Sequence, residues 1–184
     1  MARPPKKPAQ PIDMVRSLAV ILLPILVITV LFTRNLNDHP VTVVDWRPVL
    51  AQARQQAPYP VLAPTNLPDT WRATQVKWVK RGDPDLNGEP AVRNTWQLGF
   101  LAPDDVYIAV DQGDALPDEM IKDDTRSGLP DGTSKVGSAT WSRLVSSDDR
   151  TRSLVLRSAE VTTIVVGDTS YEALESYAGT LSAS

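Results

Sequence analysis

The sequence predicts an α+β protein with a single N-terminal transmembrane helix followed by an antiparallel-sheet domain of about six strands, two meanders, packed with helices. Three observations predict it. Residues 18–32 read LAVILLPILVITVLF without a charge. Most of the rest alternates β-branched and aromatic residues between turn-forming segments. Apolar stripes at helical spacing recur near the start, middle and end of that region.

The first element is the apolar run. Counting from Asp13 to Thr33 gives a segment of about 31 Å at 1.5 Å per residue, which matches the roughly 30 Å hydrocarbon core of a bilayer. Pro24 sits inside it as an expected kink. The segment Thr33 to Pro40 has no pair of small residues at the spacing of a signal-peptide cut, so an uncleaved anchor is expected rather than a removed leader. Residues 1–34 hold Arg3, Lys6, Lys7, Arg16 and Arg34 against Asp13 alone, a net +4, whereas the remaining 150 residues sit at −7. Four of the basic residues precede the apolar run, so positive-inside logic puts the N-terminus in the cytoplasm and residues 41–184 outside. The expected organisation is a disordered cytoplasmic tail over 1–12, a transmembrane helix over 13–33, a stalk over 34–40 and an extracytoplasmic α+β domain over 41–184. The lipid bilayer is the partner of Leu18 to Phe32, and the expected location is the plasma membrane, crossed once.

Past the stalk, Val41 to Val44 is a β-type run. Asp45 is placed to cap a helix starting at Trp46, with Val49, Leu50, Ala53 and Ala57 as its buried stripe and Pro58 as its stop. Four prolines from Pro58 to Pro68 keep the next segment extended without a ladder partner. Arg72 to Lys80, Thr95 to Leu101 and Val106 to Asp111 form the first meander. Within it Trp96, Leu98 and Phe100 share one face, as do Val106, Ile108 and Val110. Leu116 to Lys122 forms a short helix over the sheet. Ala139 to Val145, Arg152 to Arg157 and Val161 to Val166 form the second meander. The capping pattern Thr169-x-x-Glu172 opens a final helix whose apolar face is Tyr171, Leu174, Tyr177, Ala178 and Leu181.

The chemistry is sparse. No cysteine exists in the chain and His39 is the single histidine, so thiolate metal sites, disulfides, cysteine nucleophiles and multi-histidine centres are excluded. Neither a G-x-S-x-G nor a phosphate-binding glycine loop is present, and no basic stripe suggests nucleic acid. Residues 83–88 copy the opening of a calcium loop through Asp83, Asp85, Asn87 and Gly88. The twelfth position, however, is Asn94 where a bidentate glutamate belongs, and a hairpin loop is the better reading. Carboxylates at Asp104, Asp105, Asp111, Asp114, Asp118, Glu119, Asp123 and Asp124 read as a solvated acidic rim. The alternative is a membrane-tethered hydrolase using Asp105 and Asp111 near the Trp96 sheet. Trp46, Trp71, Trp78, Trp96 and Trp141 could stack on wall sugars, but aromatics at strand spacing are more often core.

Several marks in order carry a family resemblance: Val43, Val44, Asp45 and Trp46; the run Ala57 to Leu62; Leu67 and Pro68 with Trp71 and Arg72; Trp96 with Gly99 and Phe100; Tyr107 with Gln112; Trp141; and Val165, Val166 and Gly167 before the last helix. Together with the single apolar span they resemble the actinobacterial membrane-anchored proteins grouped as domain of unknown function 4245. The resemblance implies an exported α+β domain behind one transmembrane helix, with no activity, cofactor or substrate attached. The expected function is non-enzymatic: an envelope protein whose domain binds a protein or cell-wall partner. Asp45, Trp46, Trp96 and Gln112 are the candidate partner face, with no catalytic or metal residues and no cofactor.

Overall fold

A computed structural model describes residues 11–35, 42–84 and 88–183 of the chain, in two units that meet in sequence near residue 41. The first holds helix α1, Pro11–Asn35, with Pro24 inside it. The helix therefore begins two residues before the expected position and ends two after it. From Leu18 to Val30 its side chains are exposed, and the Thr29 hydroxyl is satisfied within the helix by the Ile25 carbonyl at 2.8 Å. Among the described residues no helix is long and apolar enough to cross a membrane. The expected tail, save Pro11 and Ile12, and the stalk from Leu36 onward lie outside the described residues.

The second unit contains α2 (Arg47–Gln56), β1 (Ala63–Pro64), β2 (Arg72–Val79), β3 (Thr95–Leu101), β4 (Tyr107–Gly113) and α3 (Pro117–Asp124). It continues with β5 (Leu129–Val136), β6 (Ala139–Val145), β7 (Arg152–Arg157), β8 (Thr162–Gly167), α4 (Tyr171–Ala178) and β9 (Leu181–Ser182). The expected two meanders are one sheet. Seven antiparallel strands run in the order β2-β3-β4-β8-β7-β6-β5. β2 to β4 form the first meander, β5 to β8 a second of four strands, and the pair β4–β8 joins them edge to edge, with Val110 opposite Val165. Of the seven strands of this sheet, β5 is the one outside the two expected meanders, and the last helix stops at Ala178, leaving Leu181 to β9. The pattern of β5 is almost wholly exposed, so it lacks the apolar alternation that marks a strand, and it belongs to the sheet through its pairing with β6. As an edge strand carrying Pro130 and a register shift before Thr133, it resists further pairing.

Four smaller expectations are corrected. Thr42 to Val44 is not a strand, although the Val44 amide donates to the Ala73 carbonyl at 2.8 Å. The segment after Pro58 does find a ladder partner, because β1 pairs with β9. The last helix is capped by Ser170, whose hydroxyl accepts from the Ala173 amide at 3.3 Å, one residue later than the Thr169 pattern implied. The α2 start shifts similarly: Trp46 occupies the cap position, and Asp45 accepts the Arg47 amide at 3.2 Å.

Two cores lie on the two faces of the sheet. The larger, under α2 and α4, gathers Leu50, Ala53, Trp96, Leu98, Phe100, Val110, Leu154, Val165, Leu174 and Tyr177. The two-residue period of β3 puts Trp96, Leu98 and Phe100 there, as expected. The smaller core is built around Met120 of α3, which packs on Leu144, Val155 and Ile164. Gly113 makes room for it, since a side chain at that position would meet the Met120 sulfur at 2.8 Å.

Gly99 performs the same service for Tyr107. A Cβ at position 99 would overlap the Tyr107 ring and hydroxyl, which at present donates to Gln75 Oε1 at 2.9 Å. Gly99→Ala is expected to expel the ring and cost about 1–3 kcal/mol, measured by urea unfolding. Tyr107→Leu should recover part of that loss.

Candidate functional site

Of the four residues proposed as a partner face, the structure brings only two to the surface. Asp45 is exposed and Trp46 half-buried at the start of α2. Trp96 and Gln112 are inside, at 0% and 1% exposure. They face each other across β3 and β4, and both serve the extended crossing of residues 59–62. Trp96 Nε1 donates to the Leu62 carbonyl at 2.8 Å. Gln112 accepts the Leu62 amide at 2.8 Å and donates to the Pro60 carbonyl at 3.2 Å. Backbone groups on a segment with no strand neighbour must find side-chain partners when buried, and these two residues supply them. They are a structural clamp with no surface to offer a partner.

What lies beside Trp46 is an aromatic cluster. Trp46 meets Phe100 edge-on at 5.9 Å, and Trp71 stacks on Tyr177 at 5.7 Å between ring centres with planes 21° apart. Trp71 reaches this position because the extended segment through Leu67 and Pro68 turns there, with the Trp71 amide bonded to the Pro68 carbonyl at 3.0 Å. On one side of Trp71 opens a cleft of about 490 Å³ between that segment, the β3–β4 turn and α4. Its apolar walls include Leu67, Trp71, Val106, Ile108, Ala173 and Tyr177, and its polar groups are Asn66, Asp104, Thr169, Ser176 and Thr180. No lysine or arginine lines it. On the other side of Trp71 a second hollow of about 290 Å³ takes in Val43, Trp46 and Arg47. Volumes and walls of this kind suit small ligands. Burial pushes the Tyr177 hydroxyl far above the ordinary tyrosine range, and that oxygen has no hydrogen-bond partner.

The opposite side carries Asp105, Asp111 and Asp124. Asp105 is exposed and paired with Arg72 at 2.6 Å, so it is not joined to Asp111 as an acid pair. Asp111 is buried under α3, contrary to the reading of a solvated rim. Burial, then the charge of Asp124, pushes its carboxyl up to about 8, against a lowering hydrogen bond from Gln97. Asp124 is raised to about 6, mainly by burial, with Arg93 opposing. Asp124 also lines a groove of about 470 Å³ with Tyr107, Arg126, Thr151, Val166 and Asp168. Ala109 and Gly113, two residues either side of Asp111 on the same face of β4, are the signal that could have found this burial: small residues there leave space for a covering helix.

For calcium, Asp85 and Asn87 lie outside the described residues. On either side of them the Gly82 amide donates to the Ala91 carbonyl and the Ala91 amide to the Asp83 carbonyl, both at 2.8 Å, which ties the two flanks together. Among the described residues no group of three or more acidic or histidine side chains is placed to hold a metal.

A seven-stranded antiparallel sheet with helices on both faces, an aromatic cleft on one of them and an N-terminal helix defines a small α+β domain protein with a binding-type hollow. The chain belongs to the family described as Protein of unknown function (DUF4245), which it matches over residues 6–181, taking in both the N-terminal helix and the sheet. None of the curated proteins matches it.

Proposed function

We propose that this chain is a single-pass membrane protein whose domain, outside the plasma membrane, binds a cell-wall or envelope partner in the cleft beside Trp71. The observation carrying the binding role is the Trp71–Tyr177 stack in the wall of a cleft without cations. An uncharged ligand with an apolar face, such as a wall sugar, could stack on the ring while its hydroxyls meet Asn66, Asp104 and Thr180 at the rim. Support for the anchor is the 25-residue extent of α1, about 37 Å at 1.5 Å per residue. An exposed apolar surface along that helix calls for cover, and the basic residues before it give the orientation. The binding role is favoured over hydrolysis because Asp105 is committed to Arg72 and Asp111 is sealed under α3.

Two measurements test this. A reporter thiol belongs at Val92, which is 63% exposed. In intact cells Val92→Cys should react with a membrane-impermeant maleimide and Ala2→Cys should not; the reverse pattern would place the domain in the cytoplasm. The purified full chain should cosediment with isolated cell-wall material, and Ser176→Arg, which puts a bulky cation at the cleft rim, should weaken this about tenfold or more without unfolding the domain. Equal sedimentation of both proteins would remove the cleft from the account.

A further inference from the structure

We propose that the cleft beside Trp71 selects an acetamido group carried on a sugar ring, and that the hydroxyl of Tyr177 is the residue group that reads it. This rests on the reading of the cleft as a binding site and names the chemistry it prefers. Tyr177 lines the cleft from α4 and is only 2% exposed. Its hydroxyl is one of two enclosed side-chain oxygens among the described residues that have no hydrogen-bond partner. Folded proteins rarely keep such a group, and where they do a ligand or a water completes it. Burial, reinforced by the charges of Asp111 and Tyr107, keeps this hydroxyl protonated, so it has a hydrogen to give.

Access to the hydroxyl runs past Trp71. One face of the Tyr177 ring is covered by Trp71, and Phe100 meets the two rings at 6.4 and 6.5 Å between centres. Trp71 itself has open space on both sides, about 290 Å³ toward Val43 and Trp46 and about 490 Å³ toward α4. Side chains of a close-packed interior have no such room. The residues before it, 66–70, belong to no helix or strand, so a tilt of the indole breaks no ladder. Trp71 is therefore a wall that a ligand can shift, and the group it uncovers is an unpaired donor.

The remaining walls specify what meets that donor. An acetamido group holds a methyl, a carbonyl acceptor and an N–H donor in one planar unit. Val106, Ile108 and Ala173 give the methyl an apolar lining. Tyr177 donates to the carbonyl, and Asp104 or Thr169 accepts the N–H. A sugar hydroxyl in the same position has no methyl to bury. A carboxylate or phosphate would enter a cleft that no lysine or arginine lines, with its charge unpaired.

The test is calorimetric titration of the full chain in nanodiscs with two probes that share ring size, linkage and length, the β-1,4-linked tetramers of N-acetylglucosamine and of glucose. The acetamido tetramer should bind about tenfold or more tightly. Tyr177→Phe should cut that preference to about threefold or less. Its urea midpoint should stay at or above the wild-type value, because the hydroxyl has no partner to lose in the free protein. Ala173→Leu, which fills the place of the methyl, should bring the two tetramers level, and it decides alone if Tyr177→Phe does not fold. Equal binding of the two tetramers by the wild type, or binding of neither, would overturn the acetamido selection. Cosedimentation with wall material that Ser176→Arg weakens would in that case leave the cleft standing as a site for other chemistry. A preference that survives in either variant, or a clear loss of stability in Tyr177→Phe, would equally overturn it, the latter by showing that the hydroxyl is already bonded in the free protein.

Discussion

Trp96→Ala is expected to be the most damaging single substitution in the sheet domain, lowering stability by about 4–6 kcal/mol. Truncating a buried aromatic to alanine costs roughly 3–5 kcal/mol through lost transfer energy and the cavity left behind. Trp96 is wholly enclosed, between Trp78 and Gln112 on the neighbouring strands, so little of the space can collapse. The substitution also strips the Leu62 carbonyl of its indole donor, and an unsatisfied buried acceptor adds about 1–3 kcal/mol. The two losses share one site and should not sum fully. Against a total of about 5–15 kcal/mol for an ordinary domain, the variant should sit at the edge of folding. Trp96→Phe separates the contributions, because it keeps most of the ring volume and removes only the donor; a loss of about 1–2 kcal/mol is expected by urea unfolding. If Trp96→Phe costs nothing, the indole donor does not hold the residues 59–62 crossing; if Trp96→Ala costs no more than Trp96→Phe, the enclosed ring adds nothing by packing.

The same residue shows why part of the site was legible and part was not. The alternation of Trp96, Leu98 and Phe100 announces a strand with one apolar face, and the structure keeps all three on it. Reading Trp96 as available to a partner overlooked that consequence. Gln112 was open to the same test, since it continues Ile108 and Val110 at the two-residue period and so shares their buried face. A polar residue at a core position implies a buried backbone group needing a partner, here the Leu62 amide. That demand arises from a crossing some fifty positions earlier, which no local pattern reports. The cleft was out of reach for a related reason. Trp71, Ile108 and Tyr177 come from three separate stretches of chain, and only the join of β4 to β8, which brings α4 back over the first meander, sets them side by side. Asp111 was misjudged because composition placed it in a run of acidic turns. Its neighbours Ala109 and Gly113 instead make the bed on which α3 lies.

Asp111→Asn should remove most of the pH dependence that this burial imposes. The Asp111 carboxyl is raised from 3.8 to about 8 in the folded state, so between those limits the native protein binds a proton that the unfolded chain has lost. Stability then falls as pH rises across the window, the opposite of a salt-bridged aspartate. Each tenfold in proton affinity is about 1.4 kcal/mol, and carrying a charged Asp111 in place at pH 8 would cost the native state on the order of 5 kcal/mol. Asparagine carries no charge and occupies nearly the same volume, so the variant should lose far less stability than the wild type from about pH 5 to 8, the remaining fall coming from the raised Asp124 carboxyl, and should exceed the wild type by about 3–5 kcal/mol at pH 8. Below about pH 4 the two should converge, because the native and unfolded wild-type chains then both carry the proton. Urea midpoints at four pH values decide it. A wild type whose stability rises from pH 5 to 8, or a variant that follows the wild-type curve, would mean that Asp111 is charged and compensated in the folded state, and that α3 covers an ion pair rather than a neutral acid.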